Sequence, residues 1–344
     1  MRMSTSTASA AFGTSESSPA RSELKNENGL DVARKLLDEN LIDPAERFLS
    51  RSGKRIRDGL VQFAYRIAGG KGIVPECLSE AVEWLHAGSL VIDDIQDDSH
   101  ERRGHPALHR EMGLPLALNA GNWMYFRALE QLTSSDLNPR LQRQALRKLI
   151  VTARKCHEGQ AIDLAARVDQ LSPGAFDATV RQISTLKTGH LVAMSTAFGA
   201  IASNASKILR RAITRFGMQI GTALQMRNDL IELQKIVAHS ESEKLLRFDD
   251  LRHRRVTWAW NWACANSTDR QMDRWLTTVR KPHMERSAAV RLATELLESI
   301  GDTGDQAIQK RIEKQLRLLG EHVVDSCLLP ELQKILHPIL NKSV

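Results

Sequence analysis

Apolar residues recur at helical spacing through most of the chain. Leu78, Ala81, Val82 and Leu85 form one stripe and Leu141, Ala145 and Leu149 another, the three-and-four periodicity of a helix with one buried face. Alternation of apolar and polar residues bounded by turns, the mark of a half-buried strand, is scarce. The pattern predicts an all-α protein. Near the start it predicts a helix around Asp31–Leu41 and another from about Gly59 to Ala68, which Gly69-Gly70-Lys71-Gly72 breaks. Trp258, Trp260 and Trp262 read as core or subunit interface, because aromatic rings bury large areas.

Two segments depart from this pattern by placing acids on apolar helices. In His86-Ala87-Gly88-Ser89-Leu90-Val91-Ile92-Asp93-Asp94-Ile95-Gln96-Asp97-Asp98, Val91, Ile92 and Ile95 have the character of a buried helix. Asp93 and Asp97 lie four apart and share one face. Arg102-Arg103-Gly104 follows closely. Carboxylates gathered so tightly repel unless a cation joins them, and Mg²⁺ is commonly held by one or two carboxylates plus substrate phosphates. The second segment runs from Gln225 to Glu232, where Gln225, Asn228, Asp229 and Glu232 fall on one face while Leu224, Leu230, Ile231 and Leu233 cover the remainder. Two polar faces opposed across a cavity are natural to a helical bundle.

Composition narrows the class. The chain has 344 residues, 48 basic and 41 acidic, for a net charge of +7. Such a balance suits nucleic acid, anionic lipid or a polyphosphate, but no zinc-finger spacing or aromatic-interleaved basic motif supports nucleic acid. Cys77, Cys156, Cys264 and Cys327 lack metal-ligand spacing and disulfide density, which predicts reduced, mostly buried thiols. No charge-free apolar stretch is long enough for a transmembrane helix or a signal-peptide core, so a cytoplasmic protein is expected. Residues 1–28, rich in Ser, Thr and Ala, read as a disordered tail, and no linker divides 29–344. A fixed-period repeat is absent, and neither Gly53-Lys54 nor Gly70-Lys71 completes a P-loop.

Taken singly, these features are weak. Asp-Asp-x-x-Asp is common on solvated faces, a lone His is more often a core residue, and Lys187-Thr188-Gly189 alone reads as a turn. Their collinear order is the signal. Gly53-Lys54-Arg55-Ile56-Arg57, His86 before Asp93-Asp94-Ile95-Gln96-Asp97, Arg102-Arg103-Gly104-His105-Pro106, Gly159-Gln160 with Asp163, Lys187-Thr188-Gly189 and Gln225 through Glu232 together resemble the trans-isoprenyl diphosphate synthases. Asp98-Ser99, His109 and Asn119 through Phe126 look most like the animal and fungal geranylgeranyl diphosphate synthases.

The resemblance implies an isoprenoid-synthase helical bundle around a central cavity, usually a homodimer, that joins isopentenyl diphosphate to an allylic diphosphate. It implies that Asp93 and Asp97 ligate Mg²⁺ with Asp94 in support, and that Asn228, Asp229 and Glu232 form the second metal wall. Arg102, Lys187, Thr188 and Gln225 would hold the allylic diphosphate, and Lys54, Arg57, His86 and Arg103 the isopentenyl diphosphate. In the family, bulky residues just before the first acidic motif stop growth early. Here Gly88 and Ser89 are small, so a C20 product is expected, shortened by Gly88→Phe, with Trp84 and Leu85 the next candidates.

Some positions depart from the family pattern. Asn228 stands where an Asp is usual, Arg254-Arg255 replace Gly-Lys before Thr257, and Asp58 replaces Pro. These departures leave a weakly active or regulatory subunit as an alternative. A terpene cyclase on the same fold is a further one, in which Lys54, Arg57 and His86 would have no second diphosphate to bind.

Overall fold

Pro75 precedes a long helix whose only interior breaker is Gly88, and Asp98 at a φ of 51° turns the chain out of it. Elements of this kind make up the computed structural model, which describes residues 29–51, 56–239, 248–281, 283–322 and 329–340. In chain order they are α1 (Gly29–Leu37), α2 (Asp43–Ser50), α3 (Ile56–Ile67), α4 (Glu76–Gln96), β1 (Glu101–Arg102), β2 (His105–Pro106), α5 (Leu108–Met112), α6 (Leu114–Thr133), α7 (Pro139–Ala165) and α8 (Phe176–Ile183). There follow α9 (His190–Ala202), α10 (Lys207–Ala238), α11 (Asp249–Arg252), α12 (Trp258–Ala265), α13 (Asp269–Val279), α14 (Arg286–Ile300), α15 (Thr303–Gly320) and α16 (Leu329–Leu340). The all-α expectation holds. Among the described residues β1 and β2 form one short antiparallel ladder, pairing Glu101 with Pro106 and Arg102 with His105.

Element bounds differ from the sequence reading in two places. The first helix does not end near Leu41: α1 passes through a π-turn, Asp38–Ile42, directly into α2, so helical geometry runs on to Ser50. The helix expected from Gly59 begins at Ile56, because buried Ile56 extends its apolar face. The proposed tail 1–28 and Lys54 lie outside the described residues.

The longest helices are fixed at their starts. The Asn138 side chain accepts from Leu141 N–H at 3.0 Å to cap α7, and Ser206 accepts from Leu209 N–H at 3.3 Å to cap α10. At 1.5 Å per residue, α10 is about 48 Å long, and α4, α7, α9 and α10 enclose the interior. One apolar cluster lies towards α3, α10 and α12 to α15 and contains Trp258, Trp260 and Trp262. The tryptophan stripe is core. A second cluster joins α2, α4, α6 and α7, with α9 contributing to both. Cys77, Cys156 and Cys264 are free thiols but half-buried, not the mostly buried set expected.

Two close backbone contacts shape the site. A Cβ on Gly159 would stand 2.5 Å from Lys187 N, and one on Gly221 would stand 2.8 Å from the Thr188 carbonyl oxygen. Glycine at both positions lets α7 and α10 press onto the Ser184–Gly189 π-turn between α8 and α9. Such a turn is a common device at functional sites, since its extra residue re-aims side chains.

Candidate functional site

Five charged side chains organise the first wall. Asp94 is buried and points away from the cavity, where Arg102 Nε reaches its two oxygens at 2.8 and 3.0 Å. Arg102 also stands 3.6 Å from Asp93, and a forked guanidinium–carboxylate pair fixes its plane firmly. Asp93 Oδ1 accepts from Lys187 Nζ and Gln160 Nε2, each at 3.0 Å. Lys187 donates in addition to Asp163 at 2.8 Å. Burial alone would raise the Asp93 carboxyl, but Lys187 and Arg102 outweigh it and hold Asp93 below the usual carboxylate range. Burial opposes the Lys187 charge, yet Asp93 and Asp163 raise its ammonium above the ordinary lysine value.

Asp97 is paired differently. Arg255, itself buried, donates to Asp97 Oδ1 and, at 2.6 Å, to the Asp163 carbonyl. Burial and the neighbouring Asp93 charge still raise the Asp97 carboxyl, with Arg255 opposing them. Arg254 precedes it at a φ of 59°, the left-handed region that favours glycine, and reaches Asp169 at 2.9 Å. A glycine, which the resemblance implies at this position, would meet that backbone requirement without strain.

The second wall is acid-rich, and among the described residues Asp229 and Glu232 make no ion pair of the kind found on the first wall. Gln225 accepts from the Thr188 hydroxyl at 2.6 Å and donates to Asp229 at 2.7 Å. Asp229 also accepts from Trp258 N–H at 2.9 Å, and Glu232 from Asp250 N–H at 2.9 Å. Burial, with Asp250 nearby, raises Asp229 well above its ordinary value. Burial and the Glu232 charge do the same to Asp250, and burial takes Glu232 up to about 7. Asn228 is exposed in the space between the walls. Among the described residues no three His, Cys, Asp or Glu side chains converge on one metal position. Carboxylate and amide oxygens, the hard donors a divalent cation takes, line the mouth from both walls.

Between the walls the space divides. A mouth of about 1010 Å³ reaches from Asp93 and Asp97 to Asn228, Asp229, Glu232 and Asp250. A narrower cavity of about 250 Å³ runs past Asp93 to Leu85, Ser89, Leu90, Tyr125, Cys156 and Leu191. Arg57 and His86 line it too. The Arg57 Nε and His86 Nδ1 atoms are buried without a hydrogen-bond partner. Burial, reinforced by Arg57, Arg103 and Arg102, lowers His86 well below the usual imidazole value, and burial also lowers Arg57 and Arg103. This corner gathers buried cationic and imidazole donors, with Glu83 the acid nearest Arg57 and Arg103. Arg103 is exposed and donates to the Arg51 carbonyl at 2.9 Å.

Gly88 does not face this cavity. A Cβ there would meet the Gly121 carbonyl oxygen at 2.8 Å and Met124 Cβ at 3.1 Å, so Gly88 is the contact that seats α4 against α6. The adjacent Ser89 and Leu85 line the cavity instead. Trp84 stands edge-on to Trp123 with Arg127 over both rings, away from the cavity lining. Sequence reasoning gave no role to Asp163, the second carboxylate on Lys187, or to Asp250. Asp250 sits eighteen residues past Glu232, a spacing with no periodic meaning.

Comparison with known proteins names the class. Residues 38–297 match the polyprenyl synthetase family model, and the chain belongs to that family. A short chain isoprenyl diphosphate synthase from Methanothermobacter thermautotrophicus is 29% identical over 64% of this chain and 66% of its own length, just under two thirds. A (2E,6E)-farnesyl diphosphate synthase from Mycobacterium bovis is 28% identical over 84% of this chain and 80% of its own. Among solved structures, a geranylgeranyl pyrophosphate synthetase from Pyrococcus horikoshii superposes with a TM-score of 0.75 at 22% identity, covering 94% of this chain and 98% of that one. A polyprenyl synthase from Caulobacter crescentus, complexed with calcium and isoprenyl diphosphate, gives 0.76 at 22% identity over 91% and 95%. The fold is that of the helical isoprenyl synthases.

The acid-rich wall makes a prediction about the metal-free protein. A carboxyl raised in the folded state binds its proton more tightly there than in the unfolded chain, so stability falls as pH rises between the two values. For Glu232 that window runs from 4.5 to about 7, and the penalty above it is up to about 3 kcal/mol. Glu232→Gln removes it. Thermal unfolding in chelator is expected to show a higher midpoint than wild type near pH 8 and none of that gain near pH 5. A lower midpoint near pH 8 would mean that the carboxylate stabilises this wall.

Proposed function

We propose that the protein is a Mg²⁺-dependent trans-prenyltransferase that condenses isopentenyl diphosphate with an allylic diphosphate, head to tail, to give geranylgeranyl diphosphate. The observation that carries the reading is the pairing of two different anion sites across one apolar cavity. On one side the orphaned donors of Arg57 and His86 stand ready for a diphosphate, to which the resemblance would add Lys54 and Arg103. On the other, Asp93 and Asp97 face Asn228, Asp229 and Glu232 across the mouth, with Lys187, Arg102, Thr188 and Gln225 around it. A terpene cyclase would need only the second of these sites.

Breaking the allylic C–O bond leaves a carbocation and puts growing negative charge on the departing diphosphate. Magnesium bound to the carboxylates would supply positive charge to that group. Lys187 and Arg255, pre-aimed by Asp163 and Asp97, offer fixed cations at the same mouth, which stabilise developing charge without reorganisation. Leu85, Leu90 and Leu191 exclude water from the cation. Asp94 acts through Arg102, since its own oxygens are turned away from the cavity. Asn228 offers an amide oxygen without charge, so the second wall would hold a cation more weakly than it would with Asp at that position.

The working form is a homodimer in the cytoplasm. Leu118 and Phe126 on α6 are exposed apolar side chains that a second copy would cover, and light scattering reads the assembly directly. No helix among the described residues is long and apolar enough to cross a membrane. The first acidic segment resembles that of the animal and fungal branch.

Purified protein with Mg²⁺, isopentenyl diphosphate and farnesyl diphosphate is expected to release diphosphate and form a C20 chain. Asp93→Ala is expected to cut turnover by roughly 10²–10³ with the fold intact. A silent wild-type protein would replace this reading with the regulatory subunit, the alternative to which Asn228 and Arg254-Arg255 point.

Product length provides a second prediction, and it moves from Gly88 to its neighbour. Ser89→Phe is expected to fill the cavity and shift the product to C15 in chromatography. Gly88→Phe is expected instead to force α4 off α6, lowering the thermal midpoint through overpacking of about 1–3 kcal/mol or more. A folded Gly88→Phe enzyme that makes C15, beside an unchanged Ser89→Phe product, would reverse the two roles.

A further inference from the structure

A second concave region lies well away from the acids. A groove of about 760 Å³ runs between α7, the end of α9 and the first three turns of α10. Six of its lining residues are Arg147, Lys148, Lys207, Arg210, Arg211 and Arg215, and none is an acid. The sequence gives the reason: no Asp or Glu occurs between Asn138 and His157 or between Asn204 and Asn228. Arg210 reaches the Gln144 side chain at 2.8 Å. The other five have no acidic partner among the described residues. Elsewhere basic side chains are commonly neutralised, as Arg51 is by Glu111 and Arg274 by Glu295.

The groove has an apolar component as well. Val151, Ala197, Ile201 and Met218 form its floor. Ile208, next to Lys207, is 70% exposed and Val151 39%. The site is separate from the synthase cavity: Arg147 precedes Gln160 on α7 by about 20 Å of helix, and Arg211 precedes Asp229 on α10 by about 27 Å.

We propose that this groove and its aliphatic rim dock the protein on an anionic phospholipid surface. A bilayer interface presents many phosphates in one plane with apolar groups just beneath, which matches cations spread over two helices with exposed Ile208 and Val151 among them. A single small anion would call for converging donors. Single-stranded nucleic acid would call for aromatic stacking platforms, and the groove lining contains no aromatic side chain.

The test uses the full chain and co-sedimentation with vesicles of phosphatidylcholine alone or with phosphatidylglycerol added, at about 0.15 M salt where exposed charges are screened within about 8 Å. Wild-type protein is expected to pellet only with the anionic vesicles. Each Lys or Arg near such a surface contributes about fivefold to binding, so Lys207→Gln/Arg211→Gln/Arg215→Gln is expected to lower partitioning at least tenfold. These side chains lack acidic partners and stand outside the synthase site, so turnover on soluble substrates stays at the wild-type level. Arg147→Gln/Lys148→Gln tests the α7 side independently, with thermal melting as the check on folding. Equal binding to neutral vesicles, wild-type partitioning in both variants, release by stoichiometric inorganic diphosphate, or tighter binding to single-stranded RNA would each overturn the proposal.

Discussion

The Lys187 ammonium, held between Asp93 and Asp163, is the interaction on which the site's geometry depends. It joins the end of α4, the end of α7 and the π-turn in one contact. Two carboxylates around one half-buried ammonium repay the desolvation that burial imposes, whereas removing either would leave charge poorly compensated. The arrangement requires α7 to come within bonding range of the π-turn backbone, and Gly159 is the residue that permits it. A side chain there would push Lys187 away from both acids. Local backbone chemistry thus sets the position of the first acidic wall.

That contact belongs to an electrostatic asymmetry across the mouth. Asp93, Asp94 and Asp97 each face an internal cation, Lys187, Arg102 and Arg255 respectively. Asp229, Glu232 and Asp250 have hydrogen-bond donors but crowd one another, and their carboxyls are all raised. One wall carries an internal cation beside each of its acids, and the other favours protons. Arg255 extends the first wall across to the chain before α12, where its longer, forked side chain reaches both Asp97 and the Asp163 carbonyl.

Much of this was legible in the sequence because helical periodicity reports faces. The spacing of Asp93 and Asp97, and of Gln225, Asn228, Asp229 and Glu232, placed them together before any coordinates. Spacing does not report what stands across a helix. Gly88 and Ser89 are adjacent and both small, yet one touches α6 and the other the cavity, a difference of about 100° around the axis that only the packing of α4 decides. Asp94 carries the same chemistry as Asp93 but is turned to Arg102, and the partner is fixed by the β1–β2 turn. Asp163 and Asp250 enter through tertiary contact, for which a single sequence holds no periodic signal.

The central claim is that the two walls are incomplete as a metal site until a diphosphate supplies further oxygens. Calorimetric titration of Mg²⁺ into the protein, alone and with an unreactive thiolodiphosphate analogue of the allylic substrate, tests it directly. The account predicts weak Mg²⁺ binding to the protein alone and binding tighter by at least tenfold with the analogue present. Equally tight binding in both titrations would contradict it, because the protein's own carboxylates would then suffice.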